Sequence, residues 1–312
     1  MNAIITGSSG FVGRSLTRLL QSQGWNIVGL NSTRGNLLSH NPDTLAMYIN
    51  MHEDFVPTEE VDIIFHLAAV ARAGDWHLSH KGEVWTQNQR INTAILEFWR
   101  LKCPQAKMIA MGTSCSYSST LPLKEENYLK GYPEEDLSAY AFTKRMLLVG
   151  LRSYSDQYGL KYNYLIPSTI YGPGFVQEDS HFIFDLIKKI YAGVTTGAPV
   201  ELWGDGYQKR ELIYINDVIR TINHATFLEN SIINVGFGQE YTIRTYAKLI
   251  SNYLHYDFEK IIFNKDKYVG VKSKLLDITH TQNLIPNYRE QLTGLIPGLE
   301  QTIEYYRRLY AR

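Results

Sequence analysis

A short apolar run, Asn2 to Thr6, passes directly into Gly7-Ser8-Ser9-Gly10-Phe11-Val12-Gly13, after which Leu16, Leu19 and Leu20 recur at helical spacing until Gly24. The pattern predicts strand, glycine turn, helix, and it constrains the chain more than any other feature. The first glycine permits the tight turn, the second lets the backbone approach a pyrophosphate, and the third lets the helix pack closely. The phosphates then sit on the helix N-terminus, where free N–H groups and the positive dipole end meet them. Gly7, Ser8, Ser9, Gly10, Phe11, Val12 and Gly13 are therefore cofactor-binding candidates. A plain βα turn is the alternative, and the position straight after a first strand argues against it.

The same alternation continues. Trp25 to Leu30 and Val61 to Leu67 predict strands, Asn88 to Leu101 a helix with Ile91, Ile95 and Phe98 on one face, Lys107 to Met111 a buried strand, and Tyr140 to Tyr158 a helix stopped at Gly159. Alternating strands and helices imply an α/β fold, a Rossmann-type doubly wound parallel sheet over residues 1–170. Residues 171–312 predict mainly a smaller C-terminal α/β substrate domain, with a segment at about 211–240, including a strand from Ile232 to Val235, returning to the main sheet.

The second strand ends near the expected adenosine ribose, where a carboxylate would accept from both ribose hydroxyls and repel a 2′-phosphate. Asn31-Ser32-Thr33-Arg34 stands there instead. Arg34 suits a 2′-phosphate, so NADP(H) is expected over NAD(H), although a solvated loop arginine is the plain alternative. After the third strand, Leu67, Ala68 and Ala69 are small enough for a cofactor to lie along the backbone, and His66 reads as a packed core histidine.

Chemistry concentrates between Gly112 and Lys144. Thr113, Ser114 and Cys115 follow a buried strand, at the carboxyl end where open α/β sheets bind ligands. Tyr140 and Lys144 lie one helical turn apart on one face. An ammonium there stabilises a phenolate and is expected to lower the tyrosine from its usual value of about 10, giving a proton donor or acceptor near neutrality. That chemistry belongs to a carbonyl or an alcohol.

Composition removes other classes. Lys plus Arg balances Asp plus Glu at 31 each, so no excess charge points to nucleic acid or to a membrane surface. Cys103 and Cys115 are the only cysteines, which excludes a disulfide framework and suits a reducing cytosol. The N-terminus lacks a signal-peptide pattern and no apolar run approaches membrane-spanning length, so a cytoplasmic protein with a small-molecule partner and no metal is expected.

Gly7-x-x-Gly10-x-x-Gly13, His66-Leu67-Ala68-Ala69, Thr113, Tyr140-x-x-x-Lys144 and Pro167-Ser168-Thr169-Ile170-Tyr171-Gly172-Pro173-Gly174 together resemble the extended short-chain dehydrogenase/reductase family, the NAD-dependent epimerase/dehydratases that act on nucleotide sugars. The resemblance covers essentially the whole chain. Within it, Gly112-Thr113-Ser114-Cys115-x-Tyr117, Asp179-Ser180-His181, Trp203-Gly204-Asp205-Gly206 with Arg210-Glu211, Asn234-Val235-Gly236 with Thr242-Ile243-Arg244, and Lys274-Leu275-Leu276-Asp277 are similar to the branch that epimerises and reduces GDP-4-keto-6-deoxymannose.

The resemblance implies roles. Cys115 and His181 serve as the acid/base pair that inverts carbons flanking a 4-keto group, and Tyr140 donates the proton when hydride reaches the carbonyl. Thr113 hydrogen-bonds the carbonyl oxygen, and Lys144 also holds the nicotinamide ribose. Pro167, Ile170 and His181 join the cofactor site; Ser114, Lys189, Trp203 and Arg210 join the substrate site; and a homodimer through the helices at Asn88–Leu101 and Tyr140–Tyr158 follows. The chain departs from the family in having threonine at position 113, Ser9 where an arginine often helps hold the NADP phosphate, Ser118-Ser119 after Tyr117, and Val269-Gly270 ahead of the lysine-leucine-leucine-aspartate run. Three readings therefore stand: the GDP-4-keto-6-deoxy sugar epimerase/reductase, a 4-reductase without epimerisation (heptoses included) or an NAD-retaining 4-epimerase, and a non-catalytic NADP-sensing module.

Overall fold

The computed structural model describes residues 1–39, 41–51, 57–71, 76–175, 181–267 and 269–310. In chain order the elements are β1 (Asn2–Thr6), α1 (Phe11–Ser22), β2 (Asn26–Leu30), α2 (Pro42–Asn50), β3 (Ile63–His66), α3 (Trp76–Ser79), α4 (Lys81–Lys102), β4 (Lys107–Met111), α5 (Ser138–Tyr158) and β5 (Tyr162–Pro167). There follow β6 (Thr169–Tyr171), α6 (Phe182–Thr196), β7 (Glu201–Trp203), β8 (Lys209–Tyr214), α7 (Ile215–Ala225), β9 (Ser231–Val235), β10 (Glu240–Thr242), α8 (Ile243–Leu254), β11 (Ile262–Asn264), α9 (Thr279–Leu284) and α10 (Leu295–Tyr310).

Six strands form one parallel sheet in the order β2-β1-β3-β4-β5-β9. Each strand is apolar on both faces, and the pleat sorts the faces. Ala3, Ile5, Ile63, Phe65, Ile109 and Met111 pack with Leu16 and Leu20 of α1, whereas Ile4, Ile64, Met108 and Ala110 pack with Leu45 of α2, Ile95 of α4 and Leu147 of α5. The sheet is therefore covered by helices on both sides, a doubly wound Rossmann-type layer. Burial at this level contributes about 2 kcal/mol for each large aliphatic side chain. The strand order reverses between β1 and β3, which places the ligand crevice at the turns following those two strands.

Beyond β5 the chain leaves this sheet. β6, β8 and β10 make a three-stranded sheet in the order β10-β8-β6, and β7 pairs in parallel with β11. β9 returns to pair with β5, and α7 packs on α1. Residues 211–214 of the segment expected to return lie in β8 of the small sheet, which also holds Arg210. α4 begins at Lys81, earlier than the expected Asn88, because Val84 continues the buried stripe of Ile91, Ile95 and Phe98 across the polar residues between. Asp217 lies within the first turn of α7, where its carboxylate accepts from Thr293 and Arg220. Among the described residues no helix is long and apolar enough to cross a membrane, and no group of three or more His, Cys, Asp or Glu is placed to hold a metal ion.

Candidate active site

The glycine turn is built around backbone contacts that side chains would block. Gly7 has φ +70, and a Cβ on it would lie 2.8 Å from Ala68 N; a Cβ on Gly13 would lie 2.1 Å from Gly7 O. Gly10 N donates to Gly7 O at 2.9 Å, and as the N-cap of α1 it supplies no capping side chain, with no acidic residue in the first turn. Those first N–H groups suit phosphate oxygens. Beside the turn, a cleft of about 350 Å³ is lined by Ser8, Ser9, Asn31 and three arginines, Arg14, Arg18 and Arg34, and by no carboxylate among the described residues. Asn31 is occupied within its own loop: its Oδ1 accepts from Thr33 N and Arg34 N at 2.9 Å each, which presents Arg34 at the rim. Arg14 donates to Ser9 O and to Gly174 O.

The open N–H groups from Gly7 to Gly13 and the three arginines of the cleft could hold the phosphates of a nicotinamide dinucleotide. Sequence reading found Arg34 and missed Arg14 and Arg18, whose four-residue spacing on α1 was the available signal. Ala69 follows Leu67 and Ala68, whose N–H groups both donate to Thr6 Oγ1.

From the same threonine a buried chain runs to α5. Thr6 Oγ1 meets His66 Nδ1 at 2.8 Å, His66 Nε2 meets Asn92 Oδ1 at 3.1 Å, and Asn92 Nδ2 donates to Thr143 O at 3.1 Å. Because Asn92 gives its amide to Thr143, its Oδ1 accepts, the His66 proton sits on Nε2, and Nδ1 accepts from Thr6. His66 is fully buried, and burial first, then the Lys144 ammonium, lowers it to about 3, so the ring is neutral. The core reading of His66 from sequence stands.

α5 presents Tyr140 and Lys144 as their spacing requires, with Lys144 Nζ 5.9 Å from the Tyr140 ring centroid. Lys144 is 2% exposed, donates to Met111 O at 2.8 Å, and is lowered by burial to about 8. The expected depression of the Tyr140 phenol is corrected by the structure. Burial raises it, with the charges of Cys115 and Tyr128 adding to the rise. A hydroxyl chain fixes the surroundings: Thr113 N donates to Tyr128 Oη, Tyr128 and Tyr164 share a hydrogen bond at 3.1 Å, and Tyr164 donates to Lys144 O at 2.7 Å.

Thr113 extends from the end of β4 and caps the short turn of Ser114 to Ser116, its Oγ1 accepting from Cys115 N at 3.3 Å. Ser114 is buried and Cys115 is half-buried and free. Arg145, missed in the sequence, clamps the next carbonyl: Nε and Nη2 donate to Ser116 O at 2.8 and 2.6 Å, and Nη1 donates to Gly131 O at 2.7 Å. Lys274, quoted above only as part of a motif, brings its ammonium to 3.6 Å from Cys115 Sγ and 3.1 Å from Glu134 Oε2. Glu134 carried no signal in the sequence. Arg210 in β8 donates to Val271 O at 2.7 Å, in the segment leading to Lys274.

The remaining candidates are placed as follows. His181 is the exposed N-cap of α6, with its ring 5.6 Å from that of Phe175, which meets Phe11 of the glycine turn edge-on at 5.2 Å. Asp179 and Ser180 lie outside the described residues. Pro167 ends β5, and Ile170 pairs with Ile213 across the small sheet. Lys189 forms an intrahelical ion pair with Asp185 at 2.9 Å. Trp203 is 43% exposed with the Lys267 ammonium 5.8 Å over its ring, so it is not a core residue.

The sequence model of the NAD dependent epimerase/dehydratase family matches residues 3–236. The chain is 28% identical over 317 residues to GDP-L-colitose synthase of Yersinia pseudotuberculosis, covering 98% of each, and 29% identical over 320 residues to GDP-L-fucose synthase of Escherichia coli K12, covering 97% of this chain and 95% of that one. In fold it is similar to the NADP-bound crystal structure of a GDP-L-fucose synthetase from Naegleria fowleri, with TM-score 0.85 and 22% identity over 99% of this chain and 93% of the other.

Proposed function

The chain belongs to the NAD-dependent epimerase/dehydratase family, and on that premise we propose that it is an NADPH-dependent epimerase/reductase of a GDP-linked 4-keto-6-deoxy sugar. The observation that carries this reading is the thiol of Cys115 within electrostatic reach of the Tyr140 phenol, at the carboxyl end of β4. Reduction or simple 4-epimerisation needs only the tyrosine and the lysine. Inverting a carbon beside the carbonyl needs a second proton-transfer group, and Cys115 supplies it. The colitose and fucose synthases to which the chain is similar support a GDP-linked substrate.

Cys115 removes a proton from the carbon next to the ketone and His181 returns one on the opposite face. Thr113 and Tyr140 hydrogen-bond the carbonyl oxygen while negative charge builds on it. Burial keeps the Tyr140 phenol protonated until that point, and Tyr140 then protonates the oxygen as the alcohol forms. NADPH, held on Gly7 to Gly13 with Arg34, Arg18 and Arg14 at its 2′-phosphate, supplies the hydride when bound. His181, Pro167 and Ile170 border its nicotinamide end, and Ser114, Lys189, Trp203 and Arg210 contact the nucleotide sugar. The cofactor and substrate domains divide near residue 170, and the protein works in the cytoplasm as a homodimer through α4 and α5, where Trp85, Met146 and Val149 are exposed.

The test is NADPH oxidation, followed by absorbance, with GDP-4-keto-6-deoxymannose. Turnover that is lost in Tyr140→Phe and lowered with NADH supports the reading. Turnover only with a UDP- or dTDP-linked sugar, or none with any nucleotide sugar, contradicts it.

A further inference from the structure

Cys115 is met from the far end of the chain by a half-buried cation that the reduction step does not use. Lys274 Nζ lies 3.6 Å from Cys115 Sγ and 3.1 Å from Glu134 Oε2, and both members of the ion pair are only 18% exposed. The main chain at Lys274 is also fixed, its N–H donating to Glu240 Oε2 at 3.0 Å. Arg210 lies within electrostatic reach of the Lys274 ammonium, and Tyr140 of α5 lies within electrostatic reach of the thiol. A purely structural lysine would be satisfied by Glu134. Here the ammonium is shared between the carboxylate and the sulfur.

We propose that Lys274, oriented by Glu134, is the positioning cation that holds the Cys115 thiol as a thiolate and so makes it the base for epimerisation. The proposal rests on the epimerase/reductase reading of the site. Burial opposes the charge on Lys274, yet Cys115 and Glu134 together keep it above the ordinary lysine value. In the step itself the substrate C–H proton moves to Sγ, the C–H electron pair moves into the adjoining C–C bond, and the carbonyl pair moves onto oxygen. Lys274 keeps its proton throughout while its partner changes from thiolate to thiol. The enolate oxygen is held by Thr113 and Tyr140, so charge leaves the sulfur and arrives beside two donors.

Alkylation of the full-length protein by iodoacetamide, quantified at Cys115 by mass spectrometry across a pH series, reads the thiolate directly because the thiolate is the nucleophile. Cys103 is the internal control, fully buried and pushed up to about 12 by burial. Lys274→Met is expected to raise the midpoint of the Cys115 profile by about one pH unit or more and to slow alkylation at neutral pH about tenfold, and Lys274→Arg to bring the midpoint back. Lys274→Gln, which keeps a donor for Glu134, is the second variant if the methionine form folds poorly. Superimposable profiles for the wild type and the neutral variants would overturn the proposal, and so would an unchanged midpoint with a raised KM, which would put Lys274 on the substrate. The assay needs no sugar, so a shifted midpoint without epimerisation would count against the reaction assigned to the site and not against this pairing.

Discussion

Lys144 Nζ donates to Met111 O at 2.8 Å, which fastens the helix carrying Tyr140 to the last residue of the central strand β4. One contact thereby sets both the height of the ammonium in the site and the distance from phenol to strand end. Replacement by methionine removes the charge and this tie together. Lys144→Met is expected to lower kcat by about 10²-fold or more and to raise KM for NADPH, measured by steady-state kinetics. Burial holds Lys144 at about 8, below the ordinary lysine value, so it loses its proton as pH rises past about 8. Reduction should therefore decline above that pH, and an unchanged rate through it would show that the charge on Lys144 is not needed.

Cofactor choice should respond to the arginines of the adenosine cleft. A charge-assisted hydrogen bond contributes about 1.5–3 kcal/mol, so Arg34→Ala and Arg18→Ala should each raise KM for NADPH about tenfold or more. KM for NADH, which lacks the phosphate, should hardly change. Equal losses for the two cofactors would place these arginines elsewhere.

Local pattern made some of this legible and could not reach the rest. The strand, turn and helix at Asn2 to Ser22 follow from spacing within a few residues, and Tyr140 and Lys144 share a face by helix geometry alone. Lys274 and Glu134 are 140 residues apart in sequence, and only the course of the segment after β11 brings the lysine to Cys115. Arg145 reads as one more helical arginine until Ser116 O is found beneath it. Asn92 is a polar residue in α4 whose purpose, linking His66 to Thr143, requires β3, α4 and α5 to be in place. The phenol of Tyr140 departs from expectation because spacing gives a neighbour but not the burial that opposes ionisation.

His66 gives the fold an acid sensitivity. Its folded value of about 3 is below the ordinary 6.5, so on acidification the unfolded chain takes up a proton before the folded one. Its contribution is complete above about pH 6.5 and is lost as pH falls from there toward 3, by about 1.4 kcal/mol per pH unit. Urea unfolding of His66→Gln should show a shallower loss of stability than the wild type between those limits. Parallel curves would mean that His66 is already neutral in the unfolded chain or charged in the fold.

Trp85 on α4 and Met146 and Val149 on α5 are 39–42% exposed, on the side of α5 away from Lys144 and Leu147. Light scattering is expected to give a dimer for the wild type and a monomer for Met146→Glu combined with Val149→Glu. A monomeric wild type would remove the interface assigned to these helices.

The assignment of Cys115 as the epimerising base is tested most directly by running the reaction with GDP-4-keto-6-deoxymannose and NADPH in deuterium oxide and reading the product by NMR. Deuterium at the carbons flanking C4, lost in Cys115→Ser while reduction at C4 continues, is the predicted result. Reduction by the wild type without deuterium at those carbons would contradict the account.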